Sequence, residues 1–515
     1  MRILFINPSL RPGFPNRFLP VGIASVMTFV RQRCFDFDFL DVDINDHDDA
    51  HVEDFLATHP YDVILSGSIV THYKWMKWLT KTVKKHQPQA KVVIGNSVAG
   101  SVPETFLRHS GCDVVVIGEG EFTTADLLEA LRDNKSLNEI EGIAFLSADG
   151  TFIKTPKRKA SNINDLPMID WDFFDVERYL SRPSTDHGRM LEGETARRVM
   201  PVTAARGCAF KCTFCHYVFW DDPYRHRSPA SILAEVKRNI DRYGANYINF
   251  WDDLSFSSLR QAEAMADAIL ASGLEFEWSA AVRVDVFGHP RFPYERRLEV
   301  ARKLREAGCM ALGFSLESGS QDILDMMNKR IEPGYFKAQV EILRKAGITC
   351  NTSVVFGYPI ETAETIQATF DQCLDVGLYP SIGFLLPLPY TGMYAYAKEH
   401  GFITDEDAYL DSITERQDIC LNMTRLSDEE LLSHIKEGAS RLNERLRLGL
   451  DRERLVRTGG YRNHHQSTSR DAQALDQDHL RRIPNDVSFN YSQATFETDL
   501  GARSLESSCA SQDRP

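Results

Sequence analysis

The stretch Cys208-Ala-Phe-Lys-Cys212-Thr-Phe-Cys215 places three cysteines within eight residues, after a predicted strand at Val199–Ala205 and a turn at Arg206-Gly207. Three thiolates at this spacing can bind one soft metal centre. A structural zinc site normally takes four ligands, and no second CxxC pair lies nearby. A redox disulfide needs only two cysteines. The pattern therefore favours an iron–sulfur cubane with one iron left open, and a zinc site or a chance grouping is the alternative.

The region 196–400 around these cysteines alternates predicted strands with amphipathic helices. Six strand–helix units in a row predict a partial, open TIM-like barrel rather than a closed eightfold one. The predicted strands are Val199–Ala205, Tyr247–Trp251, Phe276–Val284, Ala311–Leu316, Thr349–Phe356 and Ile382–Leu386. The predicted helices include Ser231–Tyr243, Leu259–Ser272, Glu295–Ala307 and Thr362–Val376.

Residues 1–150 also alternate strands and helices, which predicts a doubly wound, Rossmann-like parallel sheet. Its apolar runs are Ile3–Ile6, Val63–Leu65, Val92–Ile94 and Val114–Ile117, with a further strand between Phe35 and Ile44. Open α/β sheets bind ligands at the carboxyl ends of their strands. Small or turn-prone residues stand at these ends, namely Asn7-Pro8, Ser66-Gly67-Ser68, Gly95-Asn96 and Gly118-Glu119-Gly120.

The remaining segments predict connecting and terminal structure. Ile143–Lys154 predicts a β-hairpin that turns at Asp149-Gly150, and residues 151–195 are interpreted as the hairpin end and a linker. Ser427-Asp428-Glu429-Glu430 is a capping box that opens a helix to about Leu448 within a helical region, 401–455. Residues 456–515 are polar without periodicity, which predicts a disordered tail.

Composition limits the class of protein. A chain of 515 residues predicts two or three domains. The net charge of -14 argues against a nucleic-acid binder, because such proteins usually carry a basic face. No apolar run is long enough to span a bilayer, and the N-terminal run stops at Asn7-Pro8, too early for a secretory signal. We therefore expect a cytoplasmic protein whose other cysteines are free thiols.

The CxxxCxxC motif after the first strand of a barrel resembles the signature of the radical S-adenosylmethionine (SAM) superfamily. The resemblance covers about residues 196–400. It implies that Cys208, Cys212 and Cys215 hold a [4Fe-4S] cluster and that SAM binds to the open iron. It also implies reductive cleavage of SAM to a 5′-deoxyadenosyl radical, with reduced flavodoxin or ferredoxin as the electron donor.

Matches at later strand ends extend the resemblance. Asp252 and Asp253 follow the second strand, where family members contact the SAM amino group. Glu317 and Ser318 follow the fourth, where they bind the ribose and nearby polar groups. The resemblance also implies adenine contacts from Gly357, after the fifth strand, and from the backbone of Phe214, before the third cysteine. Each residue taken singly could be a helix cap or a core residue instead. No catalytic residue is identified.

The N-terminal region, about 1–180, resembles the cobalamin-binding subfamily. The matching segments are Leu19-Pro20-Val21-Gly22, Gly118-Glu119-Gly120-Glu121 and Asp165-Leu166-Pro167. The resemblance implies cobalamin at the strand ends, at Ser66, Gly67, Ser68, Gly95, Asn96, Gly118, Glu119 and Gly120. The common DxHxxG motif, whose histidine binds cobalt, is absent: Asp49-Ala-His51 matches its start, but Asp54 replaces its glycine. We therefore expect cobalamin without a protein histidine on cobalt, and a domain that has lost cobalamin is the alternative.

The resemblance implies a cobalamin-dependent radical SAM methyltransferase that acts on an unactivated carbon of a small molecule or secondary metabolite. An oxidase, cyclase or rearrangement enzyme on the same scaffold is the first alternative. A non-catalytic iron–sulfur or cobalamin sensor is the second. A methylthiotransferase would carry further N-terminal cysteines and an RNA-binding module, whereas only Cys34 and Cys112 precede the barrel here.

Overall fold

The computed structural model describes residues 1–10, 12, 17–181, 197–216, 218–414, 416–450 and 455–456. The N-terminal unit contains the strands β1 (Ile3–Asn7), β2 (Asp38–Asp41), β3 (Val63–Gly67), β4 (Lys91–Gly95), β5 (Val114–Val116), β6 (Ile143–Leu146) and β7 (Phe152–Lys154). They form one sheet in the order β2-β1-β3-β4-β5-β6-β7. The first five strands are parallel, and the hairpin β6–β7 extends the sheet in antiparallel fashion.

Helices on both faces cover this sheet. They are α1 (Val21–Gln32), α2 (Asp49–Thr58), α3 (Tyr73–His86), α4 (Ser97–Gly100), α5 (Pro103–Ser110) and α6 (Gly120–Arg132). The strand order reverses between β1 and β3, because β2 lies on one side of β1 and all later strands lie on the other. Such a switch point leaves a crevice at the carboxyl ends of the strands, where this class of fold binds its ligands.

The second unit is an open barrel that follows a short helix, α7 (Val176–Leu180). Its strands are β8 (Val199–Val202), β9 (Ala205–Arg206), β10 (Arg225–His226), β11 (Tyr247–Phe250), β12 (Glu277–Ala281), β13 (Cys309–Gly313), β14 (Thr349–Asn351), β15 (Ser353–Phe356) and β16 (Ser381–Phe384). A parallel sheet runs β14-β13-β12-β11-β8, and β15 pairs in parallel with β16. A bridge between Glu317 and Val354 continues the wall past the break at Thr352. The wall is therefore open between β8 and β16.

The outer layer of the barrel consists of α8 (Pro229–Tyr243), α9 (Leu259–Ser272), α10 (Asp285–Gly288), α11 (Tyr294–Glu306), α12 (Gln321–Met326), α13 (Pro333–Lys345) and α14 (Ala363–Val376). Side-chain oxygens cap several of these helices, and Ser228 and Ser258 accept hydrogen bonds from Ser231 and Gln261 in the first turns of α8 and α9. These caps satisfy backbone N–H groups that have no partner inside the helix.

The last part of the described chain returns to the N-terminal unit. It contains α15 (Gly392–Glu399), α16 (Glu406–Ser412) and α17 (Asp428–Leu446). Helix α17 packs on α14, and α16 lies against α3 and α5 of the first sheet domain. At that contact Asp407 accepts hydrogen bonds from the hydroxyl of Tyr73 at 2.7 Å and from Nζ of Lys77 at 2.8 Å. The C-terminal helices therefore tie the barrel to the sheet domain.

The predicted fold class is confirmed: a doubly wound sheet domain precedes a partial, six-unit barrel and a helical C-terminal region. The hairpin at Ile143–Lys154 and the capping box at Ser427 are both present. The strand predicted over Thr349–Phe356 is interrupted at Thr352. Linker residues 182–195 and tail residues 457–515 lie outside the described residues. No helix among the described residues is long and apolar enough to cross a membrane.

We predict that Gly438→Ala lowers the stability of the barrel. A Cβ at position 438 of α17 would lie 2.1 Å from Cδ2 of Phe370, a fully buried ring of α14. Overpacking of this kind costs about 1–3 kcal/mol. Gly334→Ala is the matched control, because a Cβ at this exposed position in α13 would meet nothing within 4 Å. Thermal unfolding should show a lower midpoint for the first variant and an equal or higher midpoint for the second.

Candidate functional site

The cysteine loop is the segment 207–224 that connects β9 to β10. Arg206 and Arg225 face each other across this short antiparallel ribbon, which closes the loop at its base. The barrel holds the loop from two sides. The backbone N–H of Thr213 donates to the carbonyl of Met327 at 2.9 Å, and the carbonyl of Thr213 accepts from the N–H of Met393 at 2.8 Å. The loop that carries the three cysteines is therefore fixed at both its base and its centre.

Cys208, Cys212 and Cys215 lie on this loop and form no disulfide with a described residue. Burial raises the pKa of Cys208 and Cys215, and the neighbouring thiols add to the rise, whereas the charges of Arg283 and Lys329 lower the pKa of Cys208 and Cys215 respectively. Among the described residues, no three His, Cys, Asp or Glu side chains converge closely enough to hold a single metal ion. In a cubane each thiolate binds its own iron. A loop that supplies three cysteines therefore fits a cubane with one open iron better than a structural zinc site, which normally takes four ligands.

Two consecutive carboxylates follow β11 and have different environments. Asp252 Oδ1 accepts hydrogen bonds from the backbone N–H groups of Ala204 and Ala205, both at 3.0 Å. It therefore braces the chain that leads into the cysteine loop. Asp253 is solvent-accessible and has neither a hydrogen bond nor an ion pair with any described residue. The protein atoms around its carboxyl group remove part of its hydration, which raises the pKa of Asp253 to about 6. Asp253 is thus the available carboxylate beside the cysteines.

Glu317 and Ser318 stand after β13 and point into the protein. Their exposed fractions are 5% and 1%. Glu317 forms an ion pair with Nζ of Lys329 at 2.8 Å, and the hydroxyl of Ser318 lies 3.4 Å from that of Thr369 in α14. Both side chains therefore have protein partners, and their direct contact with SAM stays a prediction.

Gly357 and Phe214 are brought to the same part of the barrel mouth. Gly357 has a φ of 102°, a conformation that residues with a Cβ rarely adopt. The next residue, Tyr358, is buried, and its hydroxyl lies 3.3 Å from Oγ1 of Thr213. The rings of Phe214 and Tyr358 meet edge to face at 6.4 Å. The end of β15 therefore contacts the cysteine loop directly, as the predicted adenine contacts require.

The candidate cobalamin positions include an accessible strip along the carboxyl edge of the first sheet. Gly67 and Gly95 are in register, and a Cβ on Gly67 would lie 3.1 Å from the carbonyl oxygen of Gly95. A Cβ on Gly118 would meet nothing within 4 Å. Asn96 is exposed in the same strip, and Ile69 is 42% exposed. Bare backbone beside an exposed apolar side chain fits the flat face of a corrin ring.

The serines at this edge point away from the strip. Ser66 Oγ donates to the carbonyl of Ile6 at 2.8 Å, and Ser68 Oγ lies 3.2 Å from Nδ1 of His72. His72 is 2% exposed, so it presents no accessible imidazole to the strip. Contacts from Ser66 and Ser68 to cobalamin would therefore come from their backbone, and cobalamin binding without a protein histidine stays a prediction.

Glu119 and Gly120 join structural elements rather than line the strip. Glu119 is buried and forms ion pairs with Arg206 and Arg225, both at 2.9 Å. Burial is the largest single effect and would raise the pKa of Glu119, but the charges of Arg206 and Arg225 and the hydrogen bonds from Ser161 and Arg206 together hold this pKa below its ordinary value. A Cβ on Gly120 would lie 2.9 Å from Cγ2 of Val26, so the glycine allows α6 to pack closely on α1. The Glu119 side chain is therefore unavailable to a ligand.

Sequence reasoning missed four cations near the cysteines: Arg206, Arg225, Arg283 and Lys329. The Arg283 guanidinium lies 3.5 Å from the ring centroid of Phe210 on the cysteine loop and donates to the carbonyl of Lys329 at 2.6 Å. One signal was present in the sequence, because two glutamates in Gly118-Glu119-Gly120-Glu121 next to a buried strand need cationic partners. The identity of those partners depends on the fold.

The fold and this geometry define an α/β enzyme with a ligand-binding edge in each of two domains. Residues 14–128 match the model of the B12 binding domain, and residues 202–373 match that of the Radical SAM superfamily. The chain belongs to the radical SAM superfamily, among the members that carry a B12-binding domain ahead of the radical SAM domain. Its cofactors are a [4Fe-4S] cluster, SAM and cobalamin.

Relatives and solved structures agree with this assignment. The chain is 26% identical to an uncharacterized methyltransferase of Pyrococcus horikoshii over 73% of the chain and 78% of the relative. It is 25% identical to the anaerobic magnesium-protoporphyrin IX monomethyl ester cyclase of Rubrivivax gelatinosus over 73% of the chain and 66% of the cyclase. The fold superposes on the cobalamin-dependent SAM radical enzyme OxsB with a TM-score of 0.68, at 15% identity, over 98% of this chain and 80% of OxsB.

We predict that replacing Cys208, Cys212 and Cys215 together by Ala abolishes iron binding without unfolding the barrel. Backbone atoms of Thr213 form the hydrogen bonds that join the loop to Met327 and Met393, and these bonds remain when the thiols are removed. Iron and sulfide analysis after anaerobic reconstitution should give about zero for the triple variant. Cys34→Ala, at an exposed thiol of the other domain, should keep the full iron content. Full iron and sulfide in the triple variant would exclude this loop as the cluster site.

Proposed function

We propose that this enzyme transfers a methyl group to an unactivated carbon of a small molecule. The observation that carries the proposal is the direct contact between the two cofactor-binding edges. Glu119, which follows Gly118 at the end of the first sheet, is ion-paired with Arg206, two residues before Cys208. A methyl donor held at one edge and a radical generator held at the other would therefore face the same substrate space.

The residues of the barrel mouth would divide the work of holding the cluster and SAM. Cys208, Cys212 and Cys215 would hold the cluster, which supplies the electron for reductive cleavage of SAM. Asp253 would accept hydrogen bonds from the SAM ammonium, because it is an accessible carboxylate without a protein partner beside the cysteines. Arg283 and Lys329 place positive charge next to the thiolates and would stabilise their ionised form.

A cleft between the two domains is lined by residues of both. The sheet domain contributes Phe18 and Leu19 to its wall, and the barrel contributes Asn249 and Trp251. Trp251 is 43% exposed and its ring lies 5.2 Å from that of Phe18. Aromatic walls of this kind would exclude water from a reactive radical.

A radical oxidase or cyclase is the second candidate function, because one relative is an anaerobic cyclase. The chain aligns equally with the methyltransferase and the cyclase, over 73% of its length in both cases, so the product of the reaction distinguishes the two candidates. The cytoplasmic location and reduced flavodoxin or ferredoxin as electron donor belong to the same proposal. They follow from the need of this chemistry for a low-potential reductant.

The proposal predicts a labelled product. The reconstituted enzyme is incubated with a reductant, with SAM that carries a deuterated methyl group, and with a small-molecule extract from a strain that lacks the gene. We expect the enzyme to convert one component of this extract. Mass spectrometry should show one deuterated methyl group gained by that component, together with 5′-deoxyadenosine. The triple cysteine variant is the control and should give neither product. Substrate-dependent 5′-deoxyadenosine without label in any product would reject methyl transfer and favour the oxidase or cyclase.

We further predict that Asp253→Asn weakens SAM binding. A hydrogen bond to a charged group contributes about 1.5–3 kcal/mol, so the Kd for SAM should rise roughly 10- to 150-fold. Asp241→Asn is the matched control, because Asp241 is an exposed carboxylate that pairs with Lys237 within α8. Titrations should use samples of equal iron content, so that cluster loss does not lower the apparent affinity. An unchanged Kd in Asp253→Asn would assign the ammonium contact to another residue.

A further inference from the structure

Four charged side chains, Glu119, Glu121, Arg206 and Arg225, meet at the boundary between the two domains and are here called the Arg–Glu clamp. Arg206 Nη1 lies 2.9 Å from Glu119 Oε1, and Arg206 Nη2 lies 2.5 Å from Glu121 Oε1. Arg225 Nη1 lies 2.9 Å from the same Glu119 oxygen. Each of the four side chains is 13% exposed or less. The two glutamates belong to the sheet domain and the two arginines to the barrel.

The acidic half of the clamp has no capacity left for a ligand. Glu119 Oε2 accepts from the backbone N–H and the hydroxyl of Ser161 at 2.8 and 2.9 Å. Glu121 Oε1 also accepts from the hydroxyl of Ser25 at 2.6 Å, and its Oε2 accepts from Arg206 Nη1 at 3.3 Å. Every carboxylate oxygen therefore has a partner within the protein. Such a saturated network fixes geometry rather than binds substrate.

The arginines of the clamp occupy the base of the cysteine loop. Arg206 and Arg225 are directly opposite each other in the β9–β10 ribbon. Like charges in that relation repel and destabilise strand pairing. Glu119 lies between the two guanidiniums and removes the repulsion. The ribbon that closes the cysteine loop is therefore completed by a side chain from the other domain.

The path from one cofactor edge to the other through this contact is short. Gly118, in the accessible strip, directly precedes Glu119, and Cys208 follows Arg206 after a single glycine. The ring of Phe219, also in the cysteine loop, packs under both guanidiniums at 5.3 and 5.9 Å. The clamp therefore couples the strand end at Gly118 to the cysteine loop, so that a displacement of one would displace the other.

We propose that the Arg–Glu clamp sets the distance and orientation between the cluster and the cobalt, so that Glu119, Glu121, Arg206 and Arg225 are positioning residues for the reaction. The proposed distance and orientation require only that both cofactors bind. An effect of the clamp on the yield of methylated product also rests on the proposed methyl transfer. The clamp joins a strand end of one cofactor domain to the cysteine loop of the other. Loss of the clamp should therefore make the distance between the cluster and the cobalt more variable, while both cofactors stay bound.

A second buried ion pair separates positioning from simple stabilisation. Arg227 Nη1 lies 2.5 Å from Glu235 Oε2, with exposed fractions of 8% and 3%. This pair lies two residues beyond Arg225 and is as buried as the clamp, but both of its members belong to the barrel. Breaking a buried pair by neutralising one partner costs stability wherever the pair lies. Glu235→Gln therefore reproduces the cost in stability without a change at the domain boundary.

The test compares Glu119→Gln, Glu121→Gln and Glu235→Gln in the full chain, reconstituted anaerobically with iron, sulfide and hydroxocobalamin. Iron and cobalamin contents are measured first. Pulsed electron paramagnetic resonance then measures the magnetic coupling between cob(II)alamin and the reduced cluster. We expect both cofactors to be retained in all three variants. The coupling should be weaker or more widely distributed in the two clamp variants and the same as wild type in Glu235→Gln.

A wild-type coupling in both clamp variants would overturn the proposal, as would the same broadening in Glu235→Gln. If either glutamine variant fails to fold, Arg206→Lys provides the same test, since it keeps the charge but loses the two-pronged contact with Glu119 and Glu121. With an identified substrate, the clamp variants should form more 5′-deoxyadenosine per methyl transferred than wild type. Altered coupling in an enzyme that transfers no methyl group would support the clamp and reject only the proposed function.

Discussion

The contact between Arg206 and the glutamates after β5 is the interaction on which the arrangement of this molecule depends. Removing four charged groups from water is expensive, and the cost is recovered only when every charge has a partner in good geometry. Burial is the largest single effect and would raise the pKa of Glu121, but the charge of Arg206 and the hydrogen bonds from Arg206 and Ser25 together keep the pKa below its ordinary value. The carboxylate is therefore ionised when the two domains are together. Separating them would leave charges without partners.

A second electrostatic pattern surrounds the cysteines. Lys329 lies between the loop and the barrel wall, with Glu317 on one side and the ring of Phe214 5.9 Å away on the other. Arg283 approaches the same loop through Phe210. These cations oppose the effect of burial on the thiols, whereas Asp253 acts in the same direction as burial. The pKa of Cys208 and of Cys215 remains raised overall, so a cationic ligand beside Asp253 would reduce the repulsion that the thiolates experience.

The periodicity of the sequence predicted the elements well, because strands and helices are set by local patterns. Leu259–Ser272 is a helix with the predicted limits, and the predicted helix Ser231–Tyr243 differs from α8 only by two residues at its start. The site could be predicted only in part. The carboxyl ends of strands were located correctly, but a residue type at such an end does not reveal its partner. Asp252 and Asp253 are the same residue type at adjacent positions after the same strand. Asp252 nevertheless accepts a hydrogen bond from the backbone N–H of Ala204, whereas Asp253 has no hydrogen bond with a described residue.

The same reason explains why the clamp was missed and why it is robust. Its partners are separated by more than eighty residues, Arg206 from Glu119 and Glu121, so no local pattern could pair them. A second contact lies at the other end of the barrel sequence, where Asp407 of α16 binds Tyr73 and Lys77 of α3. The two contacts attach the sheet domain through α6 at one point and through α3 at another. Two separate attachments prevent rotation about either one, so the carboxyl edge of the sheet is held in one orientation toward the cysteine loop.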